Sequence, residues 1–146
     1  MIGYRVMTQD LMDRVLVASE RAAAGNVRAM AFLVMVTARL SIQDAPQSVT
    51  RRRGQNRRRR QRIPSPVGTP PYTHGGRLPA AIGYAVERTT AVIGTQYSRI
   101  GTGGEPHEQG GDYMGDEYPL RSFMGPALAE TEPKLGPSFA GSIGEP

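Results

Sequence analysis

Few residues in this sequence could do acid–base or ligand chemistry. Two histidines, His74 and His107, are the only side chains whose ordinary titration falls near neutral pH. His107-Glu108 sets an imidazole beside a carboxylate. No second histidine or carboxylate stands at helical or hairpin spacing to complete a metal donor set, so loop hydrogen bonding is the plainer role. Asp112, Asp116 and Glu117 form a small acidic cluster. It fits a solvated loop, or a partner for arginine on another subunit, better than a catalytic carboxylate pair. Gly101-Thr102-Gly103-Gly104 is glycine-rich, but it lacks a Lys-Ser/Thr and no helix is expected after it, so it fails as a phosphate cradle. Ser, His and Asp all occur without a nucleophile elbow. Cysteine is absent, which removes disulfides, thiolate metal sites and a thiol nucleophile. The sequence points away from an enzyme, and neither a metal nor a cofactor is expected.

Charge is the stronger signal. Between Arg51 and Arg62 stand Arg51, Arg52, Arg53, Arg57, Arg58, Arg59, Arg60 and Arg62. The formal net charge is +5, and without these eight arginines it is −3. The body is thus mildly acidic and one segment is intensely basic. Three roles are open to that segment: a solvated loop, an arm pairing with acidic neighbours, or contact with DNA phosphates. No aromatic residue interleaves the run, which disfavours sequence-specific or base-stacking recognition.

Positioning these residues falls to a modest fold. The 146 residues allow one domain with a small core. Gly and Pro number 18 and 12, which predicts long loops and extensions. Met1 to Met7 reads as a strand or an extended arm. Thr8 is a plausible N-cap, followed by Asp10 in the first turn. Leu11, Val15, Ala18, Ala22, Met30, Leu33 and Val36 then recur at helical spacings. They predict a helix over about 9–41, with Gly25-Asn26 able to kink or split it. Ala29 to Val36 is apolar nearly all round and should be buried on more than one side. The longest apolar stretch, Ala29 to Ala38, is too short to span a membrane, and no signal peptide is legible at the start.

Residues 47–72 read as a long loop of arginine followed by proline. Sheet and loops should occupy about 77–123. Leu78–Val86 and Thr89–Ile93 are strand-like, with Glu87-Arg88-Thr89 as the turn between them. Tyr97–Ile100 reads as a short third strand, Gly101–Gly115 as a loop and Pro119–Phe123 as extended. A short helix is expected over about 126–131 with Pro126 in its first turn, then a tail over 136–146.

Three stretches carry a family resemblance. The first is Thr69-Pro70-Pro71-Tyr72-Thr73-His74-Gly75-Gly76-Arg77-Leu78, followed by the strand pair ending Ala91-Val92-Ile93-Gly94. The second is Pro106-His107-Glu108-Gln109-Gly110-Gly111. The third is Tyr118-Pro119-Leu120-Arg121-Ser122-Phe123-Met124-Gly125-Pro126-Ala127-Leu128. In this order, after a long helix, they resemble the small neck and tail-completion (head–tail joining) proteins of long-tailed bacteriophages, relatives of minor tail protein Z. The resemblance covers about Thr8 to Leu135. The chain departs from the family's usual pattern at Gln109, where an aromatic is usual, and at Ser122, where arginine is usual.

The resemblance implies an α+β fold: a long N-terminal helix packed on a small antiparallel sheet, with a short C-terminal helix. It implies a non-enzymatic virion subunit made in the host bacterial cytoplasm. That subunit would assemble as a ring, six copies expected and twelve the alternative, around the DNA channel. Partners would be further copies of itself, the connector or stopper, and the tail terminator or tail tube, with no membrane. Pro70, Pro71, Tyr72, His74, Gly76, Arg77, Leu78, His107, Glu108, Pro119, Arg121, Phe123, Met124 and Pro126 would be structural, in the core or at subunit contacts. The alternatives are a tail-terminator ring, or a nucleic-acid-binding protein acting through the Arg51–Arg62 loop.

Overall fold

A computed structural model describes residues 3–46, 48–50, 59–61, 63–73, 75–113 and 115–140. Helix α1 spans Gly3–Ser41 and is by far the longest element among them. It begins before Thr8, so Thr8 lies inside the helix and is not its cap. It runs without a break through Gly25-Asn26. A helical glycine costs about 1 kcal/mol relative to alanine. Ala22, Ala23 and Ala24 before it and the packed turns after it outweigh that cost.

The expected loop over 47–72 carries two short strands among its described residues. Strand β1 (Ser48–Thr50) pairs antiparallel with β2 (Arg59–Gln61), with Thr50 opposite Arg59 and Val49 opposite Arg60. Arg51, Arg52, Arg53, Arg57, Arg58 and Arg62 lie outside the described residues.

The expected strand from Leu78 is in its first part a helix. Helix α2 spans Arg77–Ala81, and strand β3 starts only at Ile82. Pro79 explains the change, since it has no N–H for a strand ladder yet fits the first turn of a helix. Strand β3 (Ile82–Glu87) and strand β4 (Thr90–Thr95) form the expected hairpin, with Glu87 opposite Thr90. The turn is therefore only Arg88-Thr89. Arg88 has φ of 53°, the positive value that tight two-residue hairpins demand.

Tyr97–Ile100 is helix α3 and not a third strand. The Gln96 N–H donates to the Ala81 carbonyl, one step further in the same register, and the Gly101 N–H then donates to the Tyr97 carbonyl, which curls the chain into the helix. The expected loop over Gly101–Gly115 holds helix α4 (Glu105–Gln109) and strand β5 (Gly111–Tyr113). Strand β5 pairs with β6 (Asp116–Tyr118). Residues 119–122 carry no regular element. Helix α5 spans Met124–Thr131, two residues earlier than expected but with Pro126 still in its first turn. A 3-10 turn (Glu132–Lys134) leads to α6 (Leu135–Phe139), so the expected tail begins as a helix.

The architecture is α+β, a long helix with small antiparallel ribbons and a short C-terminal helix. The strands among the described residues form three separate two-stranded ribbons, not one sheet. Isolated hairpins are marginal in water. The β3–β4 ribbon gains its support by packing on α1, which α5 also packs against.

The core joins Met35 and Ala38 of α1, and Ile42 just after it, to Ile82, Phe123 and Ala127. Val36, Leu78, Tyr84, Ile93 and Met124 pack around it. Phe123 is fully enclosed. The Arg39 guanidinium donates to the Ile82 carbonyl and so fastens α1 to the first residue of β3. Phe32 meets Tyr84 edge to face, 6.4 Å between ring centres.

The second half of α1 is not buried all round. Ala31, Val34, Met35, Ala38 and Ile42 are enclosed, whereas Phe32 and Leu40 are 53% and 75% exposed. The described fold has too few elements to cover more of the helix. Over Met12–Ser41, α1 is also long and apolar enough to cross a membrane, by length and composition alone. Alanines on both sides of Gly25 extend the apolar block beyond Ala29–Ala38. A core helix meets the same criterion, and the buried residues of α1 place its second half in the core.

Gly25 has no neighbouring atom within 4 Å of where a Cβ would stand. Gly25→Ala should therefore stabilise the chain by about 0.5–1 kcal/mol, the helix-propensity difference unopposed by any clash. A urea titration followed by circular dichroism would measure it, and an unchanged or lower midpoint would contradict the reading.

Candidate functional site

The candidate site is the place where the three quoted stretches meet. Its centre is the Glu108 carboxylate. Helix α5 begins after Phe123, whose side chain cannot cap the first N–H groups, and no cap comes from within the helix. Glu108 supplies one from α4. Its Oε1 accepts from the Phe123 N–H at 2.9 Å and from the Met124 N–H at 2.8 Å. Its Oε2 accepts from the Ser122 hydroxyl at 2.6 Å. A carboxylate at a helix N-terminus satisfies orphan donors and opposes the positive end of the helix dipole.

Backbone bonds hold α4 at the right height for this. The Arg121 N–H donates to the His107 carbonyl at 2.8 Å. Gly110 lies against Leu120 and Tyr118, with its φ at 65° and only 3.2 Å from a would-be Cβ to the Leu120 nitrogen. Any side chain there would be strained in conformation and would crowd the backbone. Gly104 serves a similar purpose at the other end of α4. A Cβ on it would sit 2.6 Å from a Thr95 methyl carbon. The glycine run Gly101–Gly104 is thus followed by a helix after all, contrary to expectation, because Pro106 suits the first turn of α4. It packs α4 against β4, and the segment still has no Lys-Ser/Thr for phosphate.

The first stretch is tied in from the other side. Thr73 bridges the chain just after α1: its N–H donates to the Gln43 carbonyl at 2.9 Å, and its carbonyl accepts from Ala45 at 3.2 Å. Its hydroxyl accepts from the Gly76 N–H at 2.9 Å, which fixes the turn into α2. Pro71 is buried, Pro70 and Tyr72 are half-buried, and Leu78 reaches the core beside Phe123. Just before this stretch, the Ser65 carbonyl accepts from Arg121 Nε at 3.0 Å, and the Gly68 N–H donates to the Leu120 carbonyl at 3.0 Å. Pro70, Pro71, Tyr72, Gly76, Leu78, His107, Glu108, Pro119, Arg121, Phe123, Met124 and Pro126 therefore belong to one continuous framework or flank it. Arg77 is exposed, and His74 lies outside the described residues.

Sequence reasoning singled out Glu108 only for its place beside His107 and missed its partner, the α5 N-terminus. Phe123 and Met124 join a core shared by α1 and the β3–β4 ribbon, and the helix they begin packs on α1. Ser65, Thr73 and Ser122 were not expected to matter. A Thr two residues before a Gly-Gly pair was the one legible signal, as a side-chain turn.

His107 is half-buried, and its ring meets Tyr118 edge to face at 6.2 Å. Its Nδ1 is buried with no hydrogen-bond partner among the described residues. Burial, reinforced by the Arg121 guanidinium and opposed by Glu108, holds the imidazole's pKa below its ordinary 6.5. Among the described residues no group of three or more His, Asp or Glu could hold a metal ion.

The charged features stand apart from this framework. Arg59 and Arg60 lie on β2. Asp112, Asp116 and Glu117 are exposed on the β5–β6 ribbon, where Asp112 and Glu117 face each other across the pair. Apolar residues also remain open at Met12, Val15, Leu16 and Leu128. Two clefts lie near the β3–β4 turn, one of about 640 Å³ between Val17, Glu20, Arg21, Ala24, Arg88 and Thr89.

Glu108→Ala should destabilise the chain by about 2 kcal/mol, the scale of a lost charged cap with two or three hydrogen bonds. Glu108→Gln should cost about half as much, because its amide oxygen can still accept. Urea unfolding of the three proteins gives the comparison. Equal losses in both variants would show that the charge, not acceptance, holds the helix.

The His107 shift carries a sign. A neutral folded imidazole means the unfolded chain takes up its proton first as pH falls. The stability from this group is complete above about 6.5 and is lost as pH drops toward the lowered folded value. Between about pH 7 and about pH 5.5 the urea midpoint should fall more for the native chain than for His107→Gln. Equal falls would assign the pH dependence elsewhere.

Comparisons with known proteins find no matching family model, no matching curated protein and no matching solved structure.

Proposed function

We propose that this chain is a structural, non-enzymatic subunit of a tailed-phage virion. In this reading it forms the neck or tail-completion ring that joins the head connector to the tail tube. The observation that carries the proposal is the convergence of the three resembling stretches. The second and third tie to each other through Glu108 and the Arg121 N–H, and the first, some 27 residues earlier, meets them where Leu78 packs on the core that holds Phe123. Their polar side chains are spent on holding backbone, as an assembly component requires, and not on lining a reaction pocket.

Surface composition supports the same reading. Exposed Met12, Val15, Leu16, Phe32, Leu40 and Leu128 outnumber what the small core can cover. Subunit contacts enrich Met, Phe and Arg and would cover such residues. The ring would contain six copies, or twelve if it matches a connector, with contacts to itself, to the connector or stopper above, and to the tail terminator or tail tube below. Its mechanism is assembly: the framework fixes the shape of each subunit, and its loops and ribbons reach adjacent rings.

Deleting the gene from the phage that encodes it should leave separated heads and tails, or unstable tails, in electron micrographs of the lysate. Supplying the gene in trans should restore joined particles, with the protein located at the junction. Normal infectious particles from the deletion would overturn the proposal. Tails of uncontrolled length would instead assign the chain to the tail-terminator ring.

A further inference from the structure

The β3–β4 ribbon has two strands, and each leaves one edge with no strand beside it among the described residues. One bond fixes which backbone groups point outward. The Gln96 N–H donates to the Ala81 carbonyl at 2.8 Å, in the same register that sets Ile82 opposite Thr95. Hydrogen-bonded pairs alternate along an antiparallel ladder. Gly83–Gly94, Ala85–Val92 and Glu87–Thr90 are therefore the bonded pairs. The N–H and C=O groups of Ala91, Ile93 and Thr95 point away from β3, and those of Ile82, Tyr84 and Val86 point out from the other edge. The Arg39 guanidinium on the Ile82 carbonyl agrees with this and closes the β3 edge at its start.

The β4 edge lacks the usual protections. Thr90–Thr95 contains no charged residue and no proline, and its register to β3 runs without a bulge. Native edge strands carry such devices because bare edges pair with other chains. Among the described residues no backbone bond from outside the ribbon reaches Ala91 or Ile93. On the face away from α1, Val92 is 70% exposed, and nothing lies within 4 Å of where a Cβ on Gly94 would stand. The edge is less free at Thr95, since a Cβ on Gly104 would stand 2.5 Å from the Thr95 hydroxyl.

These facts select one occupant and one register. Alternating outward N–H and C=O groups are matched by another extended strand. A second copy of β4, antiparallel about a twofold axis through Val92, sets Ala91 opposite Ile93 of that copy and Thr90 opposite its Gly94. Ala91 and Ile93 then exchange both bonds on each side of the axis. Val92 meets its own copy with Cα atoms about 4.5 Å apart, the closer spacing of a non-hydrogen-bonded pair, and the exposed valine is covered. No like charges meet, because β4 carries none. An axis through Ile93 would instead run the second strand onto Thr95, beside Gly104.

We infer that the β4 edge is a self-association surface, on which two copies of this chain join through an antiparallel β4–β4 pair centred on Val92. A twofold contact sets two copies facing opposite ways, so it does not lie inside a ring whose copies all face one way. The paired form is that of the chain outside any ring, and the inference is independent of the assembly proposed above.

Single-cysteine variants of the full-length protein test it, since the native chain has no cysteine. Under mild oxidation Val92→Cys should cross-link into a dimer at least about tenfold faster than Ala85→Cys. Ala85 is exposed on the same face but stands one strand further in, roughly 14 Å from its own copy in the pair. Sedimentation of the native chain should show a dimer growing in between about 1 and about 500 μM, as befits a contact of small area. Val92→Lys changes a side chain outside the core and should stay monomeric over that range with an unchanged urea midpoint. With rising concentration of the native chain, the Ala91 and Ile93 amides should gain protection from hydrogen exchange, while those of Tyr84 and Val86 do not. Equal cross-linking at the two positions, a native chain that stays monomeric throughout, or protection at Tyr84 and Val86 instead would each overturn the inference. Sixfold or twelvefold species of the isolated chain would overturn it as well and assign the edge to ring contacts.

Discussion

The rest of the fold leans on the carboxylate of Glu108. Helix α5 starts at a phenylalanine, a residue that cannot satisfy the orphan N–H groups of a first turn. Glu108 satisfies two of them from fifteen residues away and holds the Ser122 hydroxyl with its second oxygen. That one group decides where Phe123 and Ala127 sit, and these two complete the core with Met35, Ala38, Ile42 and Ile82. Remove the carboxylate and the N–H groups face a half-buried, poorly solvated space. Such groups cost about 1–3 kcal/mol each when left unpaired. In a chain with few buried apolar residues, that is a large share of a total that is only about 5–15 kcal/mol for typical domains.

The size of the core explains why polar ties matter so much. Larger domains fix their loops by burying apolar side chains on them. Here the segment from Ser65 to Gly76 is fixed chiefly by Arg121 Nε, by Leu120 and by the two backbone bonds of Thr73. Arg39 performs the same service between α1 and β3. Each is a side-chain or backbone donor meeting a carbonyl, and each spans a long stretch of sequence. Meanwhile α1 presents apolar residues well beyond what the ribbons and α5 can cover. The helix is longer than the described elements packed on it can cover.

What could be read from the residues follows from how local its cause is. The long helix was legible because its periodicity is repeated over many turns. The hairpin at Arg88-Thr89 was legible because strand-like residues alternate on both sides of it. The α+β class, expected from the resemblance, agrees with those two. Other parts were set by tertiary context. Pro79 turned the start of the expected strand into α2, a change that Leu78-Pro79-Ala80-Ala81 leaves undecided until Gly76 fixes the turn before it. Tyr97–Ile100 carries β-prone residues, yet the bonds from Ile100 to Gln96 and from Gly101 to Tyr97 curl it into a helical turn where β3 has no residue left to pair. The β1–β2 pairing could not be read at all, since three-residue strands leave no usable period. The framework's members were identified by type, but the role of Glu108 was not. A cap supplied from a separate helix has no sequence spacing to betray it.

Ser122 shows how closely function and framework are joined. Its part is clearest beside that of an arginine in the same place. An arginine at this position would meet Glu108 as an ion pair, and the carboxylate would divide itself between that cation and the N–H groups of α5. A serine hydroxyl takes one oxygen through a single short bond and leaves the other wholly to Phe123 and Met124. The serine thus keeps a charge out of the framework while preserving its geometry. Elsewhere exposed charge gathers locally, as with Asp112, Asp116 and Glu117 on the β5–β6 ribbon. A framework held mainly by local hydrogen bonds responds little to salt, because its partners are in contact. Exposed charge that gathers in one place responds more strongly. Such a framework keeps its shape while exposed charge answers to the ionic surroundings.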